Sequence, residues 1–196
     1  STGTAGVGGV LGVMVSLNKT EASIGSGATV KSQGDLAVTA DNETVAVMVS
    51  GGIGAAKEAG VGAAIAANVM ANKTLASIGD DAVVDAAKQM TVAADADENA
   101  VSVTVAGAGG GKVGVAGAIS MNVILSDTEA SVGQGAKLNT DAAWAPITGS
   151  SNQSVAITAH DDTVVVGVGG GVAGAGKVGV GAAADTTVLV KTVKAF

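Results

Sequence analysis

The 196-residue chain repeats itself at a fixed step. Asn18-Lys19-Thr20-Glu21-Ala22-Ser23-Ile24-Gly25 returns as Asn72-Lys73-Thr74-Leu75-Ala76-Ser77-Ile78-Gly79, and again as Ser126-Asp127-Thr128-Glu129-Ala130-Ser131-Val132-Gly133. Each return, from position 18 to 72 and from 72 to 126, is a 54-residue step. The same offset carries Val38 to Val92, Val47 to Val101 and Gly60 to Gly114 without a gap. A longer, 65-residue step follows, taking Val92 to Ile157, Lys112 to Lys177 and Ala130 to Ala195. One 11-residue insertion, within about 139–153, accounts for the difference. Copies of one repeat share one structure and bury their apolar faces by stacking on each other, so the chain is confined to a solenoid or a related array.

Within each copy the apolar residues alternate. Val101, Val103 and Val105 are separated by Ser102 and Thr104, and Val45, Val47 and Val49 by Ala46 and Met48. Period two with β-branched residues signals strands, and Gly with Asp or Asn between the runs marks turns. The Ala-rich run Gly62–Met70 could be read as helix. Its equivalents Gly6–Val15 and Gly114–Val123 are rich in Gly and Val, and each Gly costs a helix interior about 1 kcal/mol, so strand is expected throughout. A weaker 27-residue shift superimposes Ile65 on Val92, Ala67 on Ala94 and Ile78 on Val105. Each 54-residue unit is therefore expected to make two 27-residue coils, with three 18-residue coils as the poorer match. Roughly seven coils at about 4.8 Å would give a rod of about 34 Å. Val101, Val103, Val105, Ile24, Ile78 and Val132 are expected to point inward.

Composition supports a thin core. The chain has 31 Gly, one Trp, one Phe and no Tyr, so the large aromatic fillers of ordinary cores are missing and Val, Ile, Leu and Ala must do their work. Hydrophobic residues make up 47% of the chain, which is not the signature of disorder, and Gly lacks the three-residue period of collagen. Ten Lys and no Arg against seventeen acids give a net charge of -7, which disfavours nucleic acid. The absence of Cys removes thiolate metal sites, disulfides and Cys nucleophiles. Residues 1–18 lack the basic start of a signal peptide. They approach a membrane span in length, as does Val164–Ala184, but Gly content and Lys177 argue against membrane insertion.

The cycle of a Gly-rich strand, then Asn-Lys-Thr-Glu-Ala-Ser-Ile-Gly, then a strand ending in an acidic turn resembles the repeats of large filamentous-haemagglutinin-like and leukotoxin-like adhesins of bacteria with outer membranes. The resemblance covers nearly the whole chain except the insert. Lys191-Thr192-Val193-Lys194-Ala195-Phe196 departs from it. It implies a right-handed parallel β-helix, type V secretion, an extracellular or outer-surface location, a role in attachment or filaments, and no catalytic residues in the repeats. The expected fold class is thus an all-β parallel β-solenoid over residues 1–196. Its ends should stack on further copies or on the rest of a longer chain, and its partners would include glycans or proteins of host or neighbouring cells.

Several constellations have chemical readings. Asp41 and Glu43, then Asp95, Asp97 and Glu98, then Asp161 and Asp162 gather at one corner of the repeat. Stacked coils could present Asp41, Glu43, Asp95, Asp97, Asp161 and Asp162 as oxygen ligands for calcium; solvated turns are the plainer reading. No other cofactor is implied. Gly171-Val172-Ala173-Gly174-Ala175-Gly176-Lys177 has phosphate-loop spacing, but Val178 stands where Ser or Thr should hold Mg²⁺, so a solenoid turn is expected. His160, the only His, sits beside Asp161 and Asp162 without a nucleophilic Ser in an elbow. Asn18, Asn42, Asn72 and Asn152 head glycosylation sequons; two of them, Asn18 and Asn72, belong to the repeated motif, so repeat copying is the plainer reading. The insert carries Trp144 and Pro146 and is expected to leave the solenoid as a loop over 141–150, where Trp144 would anchor a partner or fold back on the solenoid. No enzyme is expected; a pectin lyase-like carbohydrate-active β-helix is the alternative, weakened by the lack of Arg and Tyr.

Overall fold

A computed structural model describes residues 3–141 and 153–196. These form ten strands: β1 (Ala5–Ile24), β2 (Thr29–Ser32), β3 (Leu36–Ala56), β4 (Ala59–Ile78), β5 (Val83–Ala86), β6 (Gln89–Gly110), β7 (Val113–Val132), β8 (Lys137–Leu138), β9 (Ser154–Ala175) and β10 (Val178–Ala195). The strands sort into three parallel sheets, β1-β4-β7-β10, β2-β5-β8 and β3-β6-β9. This is a parallel β-solenoid with two broad walls and a narrow third one. The segments with the length and apolarity of membrane spans are strands, and among the described residues no helix is long and apolar enough to cross a membrane.

One coil takes the whole repeat. Ala5 pairs with Ala59, Thr29 with Val83 and Leu36 with Met90, each one 54-residue step away. The expected pair of 27-residue coils is therefore corrected, and with it the count of seven. The chain makes three coils and the first long strand of a fourth. Four stacked strands rise only about 19 Å, while a 20-residue strand runs about 66 Å, so the body is a wide slab instead of a slender rod. The 27-residue echo has a physical cause: each coil contains two long strands, such as β4 and β6, that alternate alike and run back over one another.

The walls converge. At the end closed by β2, β5 and β8, Val38, Ile78, Val84, Met90 and Val92 form an apolar core, with Ile24 and Val132 packed against it. Towards the other end the inward residues shrink to Ala64, Ala106, Ala108, Ala116 and Ala118, and then to Gly. A Cβ on Gly54 would run into the Val61 carbonyl, and one on Gly62 into that of Gly107. Only glycine lets the backbones approach this closely. The turn before each short strand repeats one left-handed position, with φ of 68° at Gly27, 55° at Asp81 and 72° at Gly135.

This taper decides which side of each strand is inside. Ile24, Ile78 and Val132 point inward as expected. Val101, Val103 and Val105 do not: Ser102, Thr104 and Ala106 occupy the interior, all three at 0% exposure, and the valines face outward. The space opposite them is bounded by Ala64, Ala66, Asn68 and Ser120, and the narrow half admits only small side chains.

The insert sits between β8 and β9. The step grows from 54 at Val84↔Leu138 to 65 at Gln89↔Ser154, and pairing resumes without slippage through Gly110↔Ala175. Residues 142–152, including Trp144, Pro146 and the sequon at Asn152, lie outside the described residues.

Candidate functional site

Two polar layers cross the narrow interior. In the first, inward positions of β1, β4, β7 and β10 carry Asn18, Asn72, Ser126 and Lys191 in register. They meet Thr44, Glu98 and Thr163 from the opposite wall. Asn18 Nδ2 donates to Thr44 Oγ1 at 2.9 Å and to Asn72 Oδ1 at 3.2 Å. Glu98, 1% exposed, accepts from Asn72 Nδ2 at 3.0 Å and Ser126 Oγ at 2.6 Å on one carboxylate oxygen, and from Thr163 Oγ1 at 2.7 Å on the other. Neighbouring Asp161 faces Lys191 Nζ at 2.5 Å and accepts from Thr128 Oγ1 at 3.1 Å. Burial alone would raise the Asp161 carboxyl; hydrogen bonds led by that of Lys191, with the Lys191 charge, outweigh it and hold it below its ordinary value.

The second layer is carried by Ser and Asn and, on β10, by Asp185, in register with Ser120 and set against Gly167. Ser102 Oγ lies 2.6 Å from Ser120 Oγ and accepts from Asn122 Nδ2 at 3.0 Å. Asn68 stacks in register on Asn122. Between the two layers Ala46, Met70, Ala100 and Ile124 form a small apolar partition. Sequence reasoning overlooked both layers. Their signal is the recurrence of Asn and Ser at fixed offsets on one side of an apolar alternation, read as outward polar residues.

The register brings most of the acidic corner together. Asp41, Asp95 and His160 form one outward ladder, and Glu43, Asp97 and Asp162 the next. Asp161 belongs to the other face, since alternate residues of a strand point to opposite sides, and is spent on Lys191. Among the described residues no group of three or more His, Asp and Glu is placed to hold a metal ion. His160 Nε2 lies 3.3 Å from Asp162 Oδ2, both exposed, while alternation turns His160 away from Asp161. An open depression here is lined by Asp97, Glu98, Asn99, Asp162, Thr163 and Val164.

The segment with phosphate-loop spacing is a solenoid turn. The N–H groups of Gly176 and Val178 donate to the carbonyls of Gly110 and Lys112, and β10 follows. Those amides are committed to the ladder and cannot cradle a phosphate. The sequon asparagines Asn42 and Asn72 are buried and Asn18 is half-buried; the repetition of Asn18 at Asn72 reflects packing of the polar layer. The insert leaves the solenoid beside Asp85, which is fully buried and whose Oδ1 accepts from the N–H groups of Thr140 at 2.9 Å and Asp141 at 3.1 Å.

The outer walls of the narrow half are apolar. On one wall Val7, Leu11, Val13, Val15 and Leu17 head ladders that continue through Val61, Ile65, Val69, Val115, Ile119, Met121 and Leu125. On the other, Val45, Val47, Val49 and Ile53 head ladders through Val101, Val103, Val166 and Val168. Exposure reaches 82% at Val7 and 79% at Ile53. No protein-family model, no curated protein sequence and no solved structure matches the chain.

Proposed function

We propose that the chain is a structural and adhesive segment of a bacterial cell-surface or extracellular filament, built by stacking coils end to end. The observation that carries this reading is the unbroken in-register pairing of one coil on the next. It makes the edge of any coil the template for another. The free edges of β1, β2 and β3 on one side and of β9 and β10 on the other would be covered by further coils, of the same chain or of another copy. Support for a mechanical role over the carbohydrate-active alternative comes from Glu98 and Asp161. These buried carboxylates are engaged by amide, hydroxyl and ammonium groups inside the slab, where they tie the two walls together. Attachment to glycans or proteins of another cell, and export to the outer surface, follow from the adhesin resemblance.

The test is imaging and fibre diffraction of the purified protein. A filament with an axial repeat of about 4.8 Å along its length and a broad cross-section of about 66 Å supports the proposal. Discrete particles that never extend, together with turnover of pectic polysaccharides, would overturn it in favour of the alternative.

A further inference from the structure

The β9–β10 end of the solenoid carries a slot one strand wide. β4 packs between β3 and β6, and β7 between β6 and β9, whereas among the described residues β10 packs across the interior against β9 alone. The outer edge of β9 and the inward side of β10 line the place of one further strand of the β3-β6-β9 wall. Register identifies what points into it. Leu189 continues the column of buried Ile124, Asp185 that of buried Ser120, and Lys191 that of Ser126. Leu189 and Asp185 are exposed here. A Cβ on Gly167 would strike the Asp185 carboxylate, and among the described residues no hydrogen bond or ion pair engages that carboxylate. The other inward carboxylates of the two polar layers take a donor from the coil that follows them. Glu98, in the second coil, accepts from Ser126 and Thr163 of the third, and Asp161, in the third, is held by Lys191 of the fourth. Asp185 stands in the fourth coil, so its donor belongs to whatever covers this edge.

We propose that this slot binds one extended strand, added parallel to β9 and presenting a hydroxyl, amide or ammonium donor to Asp185. The occupant is the leading strand of the covering coil, so the proposal rests on the filament reading and names what that coil must carry. Main-chain hydrogen bonds to the β9 edge supply affinity, and the alternate side chains that enter the slot supply selection. A carboxylate covered without a donor is strongly disfavoured, so an occupant with an apolar or acidic residue at that place is rejected. Beside Leu189 the occupant is apolar. Further along, a Cβ on Gly181 would strike the Gly171 carbonyl, so the backbones already touch and only small residues fit. The charged groups facing the slot are Asp161, Asp185 and Lys191 inside and His160 and Asp162 along its outer rim. Asp161 and Lys191 hold each other, which leaves an excess of acid, so the occupant carries no carboxylate against Asp162 or Asp185.

The probe is a synthetic peptide with the Gln89–Gly110 sequence of β6, the strand that pairs with the other edge of β9. In the same register it sets Ser102 beside Asp185, Ala100 beside Leu189, and Ala106 and Ala108 towards the glycine end. Asp97→Asn and Glu98→Gln in the peptide remove the carboxylates that would face Asp162 and Asp161. Amide exchange of the whole chain is followed with and without the peptide. The expected result is several-fold slower exchange in β9 and β10 and no change in β1 and β3. Ser102→Asp in the peptide should weaken binding about tenfold, the scale of a hydrogen bond to a charged group, and Asp185→Ser in the chain should restore it; Asp185→Asn serves if that variant loses its β-structure by circular dichroism. No protection, equal protection of β1 and β3, or binding indifferent to Ser102→Asp would each overturn the proposal. Imaging of the chain without peptide separates it from the filament reading: filaments whose edge ignores the peptide strike this inference alone, and protection on particles that never extend strikes the filament reading alone.

Discussion

Ser102 and Ser120 meet 2.6 Å apart between the walls, while Val101 and Val103, on either side of Ser102, face out. The larger apolar residues are thus outside and the small polar ones inside. Outward valines still stabilise the sheet, because stacked β-branched pairs such as Val49 on Val103 contribute roughly 0.2–1 kcal/mol each. Ser102→Ala removes the partner of both Ser120 and Asn122 and should cost about 1–2 kcal/mol. Val103→Thr, on the outer wall, should change stability by less than about 0.5 kcal/mol. Urea midpoints compare the two directly, and a larger loss at Val103 would reverse the assignment of faces.

The taper makes a second prediction. Gly54→Ala drives a Cβ into the Val61 carbonyl, and backbone there has no room to retreat, so the loss should reach about 3 kcal/mol, the upper end for overpacking. Gly117→Ala meets nothing within 4 Å and should be neutral or slightly stabilising. Equal effects in urea denaturation would mean that the walls are further apart than described.

These positions also show what the sequence could reveal. The 54-residue recurrence of Asn18, Asn72 and Ser126 disclosed the stacking, the parallel register and the place of the insert. Alternation around Val101 groups the residues that share a face but does not say which group is inside, since a one-residue shift exchanges them. Hydrophobicity favoured the valines. The deciding signal was glycine at alternate positions, Gly52 and Gly54 facing Gly60 and Gly62, which marks the side where backbones touch. The acidic corner was legible as a stack, whereas the inward turn of Asp161 followed only from its place one residue away from His160 in the ladder.

Asp161 links stability to pH. Its carboxyl is held below its ordinary value in the folded state, so its contribution is fully present above the unfolded carboxylate pKa of about 3.9 and is lost as pH falls through the lower folded value. Thermal midpoints from pH 7 to pH 2 should therefore show a loss confined to the acid end. Asp161→Asn should remove part of that loss. Lys191→Met leaves the carboxylate without its cation and should cost about 2 kcal/mol at pH 7, less than for fully buried pairs because Lys191 is a quarter exposed.

Asp85 anchors the exit of the insert through two backbone N–H groups. Asp85→Ala should speed amide exchange at Thr140 and Asp141 and cost about 1–3 kcal/mol. Trimming the insert until the 54-residue step is restored should leave the fold intact. Circular dichroism and urea unfolding of the deletion decide this, and an unfolded product would make the insert part of the core.

One coil consumes one whole 54-residue repeat, and disulfide mapping within a single chain is the test of it. Val49 and Val103 are register partners one repeat apart, at the Cα separation of about 4.8 Å that adjacent strands impose, within disulfide reach. Ala76 and Val103 are half a repeat apart and would be neighbours only if each repeat made two coils. Val49→Cys with Val103→Cys should oxidise to an intramolecular disulfide in the folded protein, while Ala76→Cys with Val103→Cys stays reduced. A disulfide in the second pair and none in the first would contradict it.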